Sequence, residues 1–308
     1  MEMKIYTITL NPAYDVHAET ERIALGRENL ARVTSRDAGG KGINISRALS
    51  ETGIENVAIA VVGGENSADF KSLIGEYGID CVFIEKLGRI RENLTIHADG
   101  GETRISFEGF SLSNEVLDEV GALIEVDRET VVTFTGSVPN GVDISACKEF
   151  LVGLKARGAR VVIDSKSFTL DDIIEVKPWL IKPNGEEIEV YSGKAVENFA
   201  DCSSFAERIC EKGIENVMIS LGERGAMLLN SEGAFIAVPP AVSAVSTVGA
   251  GDSAIAGFIS AFADGDGSEE CLKRAVAFGT AACLFEGTAP PKACDIADIM
   301  NKVKIFSA

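Results

Sequence analysis

Ser246-Thr-Val-Gly249-Ala-Gly251-Asp252-Ser253 runs directly into the small-residue stretch Ala254-Ile-Ala-Gly-Phe-Ile-Ser-Ala, which reads as a helix. Glycines in such a turn let the backbone approach an anion closely. The first helical N–H groups then point at that anion with the favourable end of the helix dipole. Three readings compete for this segment. Asp252 is an ordinary cap or dipole-compensating acid in the first. In the second, Gly249-x-Gly251-x-x-Ala254 is the dinucleotide fingerprint G-x-G-x-x-G/A, which requires a following strand that ends in an acidic residue about 20 positions on. The helical pattern of Glu269–Phe285 follows instead, and the segment lies near the C-terminus and not at a first βα turn. The third is a phosphate-binding turn whose Asp252 serves as the catalytic base of a small-molecule kinase.

Upstream of this turn, short β-branched runs alternate with helical patterns. Strands are expected at Lys4–Leu10, Val57–Val62, Thr130–Thr135, Arg160–Ile163, Trp179–Ile181 and Asn216–Ser220, with helices at Ile43–Thr52, Ala68–Tyr77 and Ile144–Ala156. That rhythm predicts an α/β fold with a mostly parallel sheet covered on both faces. Asp15–Val33 and Arg91–Glu108 break it and read as antiparallel strands of a separate small sheet, with Gly100-Gly101 as a hairpin turn. After Ser246, three consecutive helices, Ser253–Ala263, Glu269–Phe285 and Ile296–Val303, are expected to close the fold.

Composition narrows the function. The chain of 308 residues carries 29 Lys+Arg against 47 Asp+Glu, a net charge of −18. Nucleic acid and anionic membranes both need a basic footprint, so neither is expected as a partner. Phosphate ligands would need the few cations gathered where they bind. The opening Met1-Glu-Met-Lys-Ile-Tyr-Thr-Ile-Thr-Leu10 lacks a basic n-region and a cleavage site, and reads as a first strand. No apolar run approaches the ~20 residues that span a bilayer. The seven cysteines have no CxxC spacing and read as reduced thiols, so a soluble cytoplasmic protein is expected. With only His17 and His97 present, a His-rich metal centre is excluded, and no G-x-S-x-G elbow accompanies either.

Two further segments carry chemistry. Ala38-Gly39-Gly40-Lys41-Gly42-Ile43-Asn44 is a second glycine turn before a helix, but not a Walker A loop. Lys41 and Asn44 can reach a bound polar ligand from it, with Arg47 as an alternative on the helix surface. Lys182-Pro183-Asn184-x-x-Glu187 opens another helix. Asn184 and Glu187 are either an ordinary helix start or a pair that orders water around Mg²⁺ near phosphates.

Taken in order, these segments resemble the PfkB (ribokinase-like) family of carbohydrate kinases, and the resemblance covers essentially the whole chain. It rests on Thr9-Leu-Asn-Pro-Ala-Tyr-Asp15, Ala38–Asn44, Thr135-Gly-Ser-Val-Pro-Asn-Gly141, Lys182–Glu187, Ser220-Leu-Gly-Glu-Arg-Gly-Ala226 and Ser246–Ser253. Thr9–Asp15, the Ser-Thr-Val start of the last motif, and Arg91-Glu-Asn93 resemble the phosphosugar branch. The resemblance implies a ribokinase-like three-layer α/β sandwich forming one kinase domain over residues 1–308, with a small β-sheet lid from about 12–36 and 88–110. It also implies an ATP-dependent kinase of fructose 1-phosphate, with fructose 6-phosphate or tagatose 6-phosphate as alternative acceptors. A non-catalytic phosphosugar sensor is the reading from another class.

Site roles follow from the same resemblance. Asp252 would be the base, with the backbone of Gly249, Ala250 and Gly251 as anion hole. Asp15, Gly40 and Asn44 would hold sugar hydroxyls, and Lys41, Arg91, Asn93 and Ser137 the existing phosphate. Lys182, Asn184, Ser220, Gly222, Gly225, Val276 and Thr280 would lie along ATP, and Glu187 would organise Mg²⁺ through water. Arg27 would reach the site of a partner subunit in a homodimer built through the lid. Two departures stand out: Gly63-Gly64-Glu-Asn-Ser-Ala68 lacks the family's later glycine, and Ile90 replaces a threonine beside the expected phosphate site.

Overall fold

The computed structural model describes residues 3–196 and 198–307; the first two residues of the expected opening strand stretch lie outside it. The first half of the chain forms β1 (Lys4–Thr9), β2 (Ala13–Glu19), β3 (Arg32–Gly39), α1 (Lys41–Glu51), β4 (Val57–Gly63), α2 (Ser67–Glu76), β5 (Cys81–Lys86), β6 (Arg91–Ala98), β7 (Gly101–Ser106) and α3 (Glu115–Ala122). Next come β8 (Thr130–Thr135), α4 (Ile144–Ala156), β9 (Arg160–Asp164), α5 (Leu170–Val176), β10 (Leu180–Ile181), α6 (Gly185–Ser192), α7 (Phe199–Cys210) and β11 (Asn216–Ser220). The chain ends with β12 (Ala226–Asn230), β13 (Gly233–Val238), α8 (Ala250–Ala263), α9 (Ser268–Ala282), α10 (Ala293–Met300) and β14 (Lys304–Ser307).

Ten strands make the large sheet, in the order β14-β13-β12-β11-β10-β9-β8-β1-β4-β5. Every pair from β5 to β11 is parallel, and the three pairs beyond β11 are antiparallel. The two-residue period of the strands decides which layer each side chain joins. Tyr6 and Ile8, Val132 and Phe134, Val161 and Ile163, and Val217 and Ile219 pack with α3–α7 on one face. Their neighbours Ile5, Val131, Val162 and Met218 pack with α1, α8, α9 and α10 on the other. The result is the expected ribokinase-like α/β arrangement, two helical layers around a mostly parallel sheet.

The second sheet has the order β3-β2-β6-β7. Its outer pairs are antiparallel, but β2 and β6 at its centre run parallel, because each enters the sheet from the same side of the large one. The β6–β7 turn is Asp99-Gly100 and not Gly100-Gly101. Both turn residues have positive φ, 52° and 73°, as a two-residue hairpin turn of matching twist demands, and Gly101 already pairs with Ala98. The C-terminal expectation also needs correction: α10 does not close the fold, since β14 follows it and covers the edge of β13. Its four residues show only a weak alternating signal. The glycine-poor Gly63-Gly64 loop is held by Gly64 bridging to Arg89. Ile90 is 2% exposed in a core cluster with Tyr14, Ala38, Ile43 and Phe70, so it packs instead of facing a ligand.

Helices α8 and α9 pack closely across Gly257, where a Cβ would lie 2.6 Å from the Arg274 carbonyl oxygen and 2.9 Å from the Phe278 ring. Gly257→Val is therefore expected to cost about 1–3 kcal/mol through overpacking. Urea unfolding checks this, and an unchanged midpoint would show that the α8–α9 contact yields freely.

Candidate active site

The Gly249–Asp252 turn sits where α8 begins. Gly249 has φ 80°, a conformation that glycine adopts without strain, and this turns the chain into the helix. Ala250 N–H bends back weakly to Thr247 O at 3.4 Å, and Ser253 N–H bonds Gly249 O at 2.9 Å. Among the described residues the N–H groups of Gly249, Gly251 and Asp252 have no acceptor. The available donors thus include Asp252 itself and leave Ala250 partly occupied.

Asp252 is 6% exposed, and its Oδ2 accepts a 2.8 Å hydrogen bond from Asn44 Nδ2. Burial pushes its carboxyl up to about 6; the Lys41 ammonium opposes the rise and Asp164 adds to it. Asp164 ends β9 and accepts from Lys41 Nζ at 2.8 Å, with Lys182 Nζ at 3.9 Å. Burial acts against its charge, yet Lys182 and Lys41 together hold Asp164 below the ordinary carboxylate value. Lys41 is also desolvated, and the two carboxylates Asp164 and Asp252 nonetheless raise its affinity for the proton. Lys182 Nζ lies against the turn: a Cβ at Gly251 would come within 3.0 Å of it.

The small sheet supplies a second group of polar residues. Strand register sets Asp15 beside Asn93, and Asp15 Oδ1 accepts from Asn93 Nδ2 at 2.9 Å and Arg104 Nη2 at 3.2 Å. Gly39 makes room for this carboxylate, since a Cβ there would lie 2.2 Å from Asp15 Oδ2. Two residues along β6, Arg91 donates to the carbonyls of Asn11 (3.3 Å) and Phe107 (3.4 Å). Asn11 Nδ2 in turn donates to Ser137 Oγ at 3.0 Å. Gly40 caps α1 and leads into Lys41 and Asn44. Asn11 Oδ1, Asn44 Oδ1, Asn93 Oδ1 and Arg91 Nε are buried without hydrogen-bond partners among the described residues. Buried polar atoms are normally paired, so this set fits a polar ligand that completes it.

Along the carboxyl ends of β10 and β11 lie Lys182, Asn184, Ser220 and the Gly222–Gly225 turn; Asn184 bridges Ser220, and Ser220 N–H bonds Pro183 O at 3.0 Å. Asn184 and Glu187 form a capping box, Glu187 N–H to Asn184 Oδ1 (2.8 Å) and Asn184 N–H to Glu187 Oε2 (3.1 Å). The ordinary helix-start reading therefore holds for one oxygen of Glu187. Val276 and Thr280 are one turn apart on α9, which packs against the start of α8 at Gly279, 3.0 Å from Ala250 O for a Cβ there. Arg27 is not brought to this cluster; it is exposed between β2 and β3. His17 and His97 bond each other, Nδ1 to Nε2 at 3.3 Å, and among the described residues neither bonds a serine or cysteine side chain. Arg47 is not on the helix surface but buried, 8% exposed.

Asp164, Asn11 and Arg104 are site residues that sequence reasoning missed. The signal for Asp164 was present, a charge at the carboxyl end of the buried strand Arg160-Val-Val-Ile-Asp164, where open α/β sheets bind ligands. Arg104 gave none, because only the β6–β7 register brings it to Asp15.

A desolvated carboxylate beside free helix-start amides and two lysines, on an α/β scaffold, is an arrangement suited to phosphoryl-transfer chemistry. Residues 7–293 match the model of the pfkB family carbohydrate kinase, and the chain belongs to that family. It is 35% identical over 288 residues to 1-phosphofructokinase of Escherichia coli (strain K12), covering 92% of this chain and 91% of that protein. It is 32% identical over 286 residues to 1-phosphofructokinase of Bacillus subtilis (strain 168), covering 92% and 93%. The crystal structure of phosphofructokinase-2 from Escherichia coli in complex with substrates and products superimposes with a TM-score of 0.89 at 28% identity, covering 97% of this chain and 99% of that one.

Since the folded-state value of Asp252 lies above its ordinary 3.8, the folded protein holds this proton more tightly than the unfolded chain does. Its effect on stability is most favourable at low pH and is lost as pH rises through about 6. Asp252→Asn is accordingly expected to raise the melting temperature at pH 7.5, with the gain shrinking towards pH 4. A variant no more stable than the parent at pH 7.5 would contradict the desolvation.

Proposed function

We propose that the protein is an ATP-dependent phosphosugar kinase that converts fructose 1-phosphate and ATP to fructose 1,6-bisphosphate and ADP. The observation that carries this reading is Asp252, a buried carboxylate raised to about 6 at the mouth of an amide-lined turn. Such a group is ionised at neutral pH yet basic enough to take a proton from an attacking hydroxyl. The N–H groups of Gly249, Gly251 and Asp252, with a share from Ala250, receive charge developing on the transferred phosphoryl group. Lys182 neutralises that charge from the other side. Asp164 holds Lys41 and Lys182 in place without displacing them.

On the acceptor side, Arg91, Asn93, Lys41 and Ser137 take the existing phosphate, and Asp15, Gly40 and Asn44 the hydroxyls. Asn11 and Arg104 steady them. Lys182, Asn184, Ser220, Gly222, Gly225, Val276 and Thr280 take ATP. Mg²⁺ favours octahedral sites with several waters and few carboxylates, and Glu187 fits such a role because its Oε1 has no hydrogen-bond partner among the described residues. Bound there, the ion would neutralise phosphate charge.

The described fold acts as one domain with the β3-β2-β6-β7 sheet as a lid. Leu25 and Leu30, in the β2–β3 connection, are 93% and 91% exposed, and Val33 and Ile105 on the small sheet and Phe107 just past β7 are exposed as well. A second copy covering these apolar groups makes a homodimer and carries Arg27 towards the partner's site. Relatives of this fold do assemble, phosphofructokinase-2 from Escherichia coli having a tetrameric inhibited form. Free cysteines throughout suit a reducing cytoplasm, and no described helix is long and apolar enough to cross a membrane.

Fructose 6-phosphate and tagatose 6-phosphate are the alternative acceptors; the named relatives favour fructose 1-phosphate. A coupled assay is expected to give the highest kcat/KM for fructose 1-phosphate among the three, and preference for another would replace the acceptor. Asp252→Ala and Asp252→Asn are expected to lower kcat by at least ~10²-fold with both ligands still bound. Near-parental turnover would remove Asp252 as base and reopen the sensor reading. Arg91→Ala should raise KM for the phosphosugar far more than KM for ATP; equal effects would take Arg91 out of the acceptor site.

A further inference from the structure

Helix α1 presents Lys41, Asn44 and Arg47 at three-residue intervals, along one side of the helix. The first two reach Asp164 and Asp252. Arg47 turns to a different place. Its guanidinium carbon lies 3.7 Å from the centre of the Tyr77 ring, and Nη1 donates to Thr288 O at 3.2 Å. Nε has no partner. Burial lowers its affinity for the proton, opposed by Tyr77, Asp37 and Asp15. Desolvating a cation with so few hydrogen bonds is unfavourable, and an apolar side chain would fill the space more stably.

Both partners lead to the active site. Tyr77 Oη accepts from Ala38 N–H at 3.0 Å and donates to Asp37 Oδ1 at 3.3 Å, which fixes the end of β3 just before the Gly39–Lys41 turn. Thr288 backs the other turn, since a Cβ at Gly249 would lie 3.6 Å from Thr288 Cα. The preceding Gly287 touches the small sheet, 3.1 Å from His17 Nε2 for a Cβ there. A single guanidinium on α1 thus links the end of β3, through Tyr77, to the loop behind the Gly249–Asp252 turn. A flat cation that stacks and donates at its edge suits this bracket in a way an apolar residue does not.

We infer that Arg47 is a positioning residue, which holds the phosphate-binding turn at Gly249–Asp252 in register with the Gly39–Lys41 turn. Its kinetic consequence rests on the kinase reading above; its structural consequence does not. The test compares the parent, Arg47→Met, Arg47→Lys and Tyr77→Phe by melting temperature, steady-state kinetics and amide hydrogen exchange. Arg47→Met is expected to lower kcat about tenfold or more while each KM moves less than about threefold, the pattern of lost alignment. Exchange should speed up in 36–44 and 246–252 and stay unchanged in β8 and β9. Arg47→Lys, which restores a cation near Thr288 O but not the flat group stacked on Tyr77, should recover only part of the lost kcat. Tyr77→Phe should speed exchange at 36–44 and lower kcat by a smaller factor, and it decides the matter if Arg47→Met does not fold.

Unchanged kcat and exchange would overturn the inference. So would a loss carried by KM, or faster exchange spread evenly over the protein, which marks an ordinary core residue. If the parent phosphorylates none of the three sugars, the proposed function fails, and the exchange pattern alone decides the role of Arg47.

Discussion

A carboxylate kept out of water next to a lysine pair is the feature on which the site depends. Asp252 and Asp164 share one desolvated pocket, and like charges so placed cannot both ionise freely. The lysines divide the outcome. Asp164 lies between Lys41 and Lys182 and stays charged, while Asp252, whose one side-chain hydrogen-bond partner among the described residues is Asn44, rises to about 6. One carboxylate pairs with the cations, and the other is left without one, as the proposed base requires. The fold makes this possible by delivering each member from the carboxyl end of a parallel strand or the start of a helix. Glycines at 39, 249 and 251 keep the approach open.

Charge distribution points the same way. A net charge of −18 repels every phosphate from most of the surface. Against that background Lys41, Lys182, Arg91 and Arg104 converge on one face, where the small sheet meets the strand ends. The cations are few, and those at the candidate site stand out against the acidic remainder.

Much of this was legible in the sequence. The parallel core was readable because its strands are continuous β-branched runs, as in Thr130–Thr135. The Gly249–Asp252 turn and the Gly39–Lys41 turn were readable because close approach restricts those positions to small residues. What local patterns could not give was partnership across the chain. Asp164 fell just beyond the expected strand Arg160–Ile163, and nothing local marks Lys41, 123 positions away, as its partner. Arg47 read as a surface residue because its neighbours Tyr77 and Thr288 come from remote segments. The parallel pairing of β2 with β6 was hidden for the same reason, since alternation reveals a strand but not the direction of its neighbour. Edge strands such as β14 are short and half exposed, and leave little periodicity to read.

The most direct measurement is the titration of the Asp252 carboxyl carbon by NMR in selectively labelled protein, for the parent and for Lys41→Met. The predicted midpoint is about 6 in the parent and higher in the variant, because a neighbouring cation has been removed. A midpoint near the ordinary 3.8, unmoved by the loss of Lys41, would contradict the desolvated base and with it the chemistry assigned to the turn.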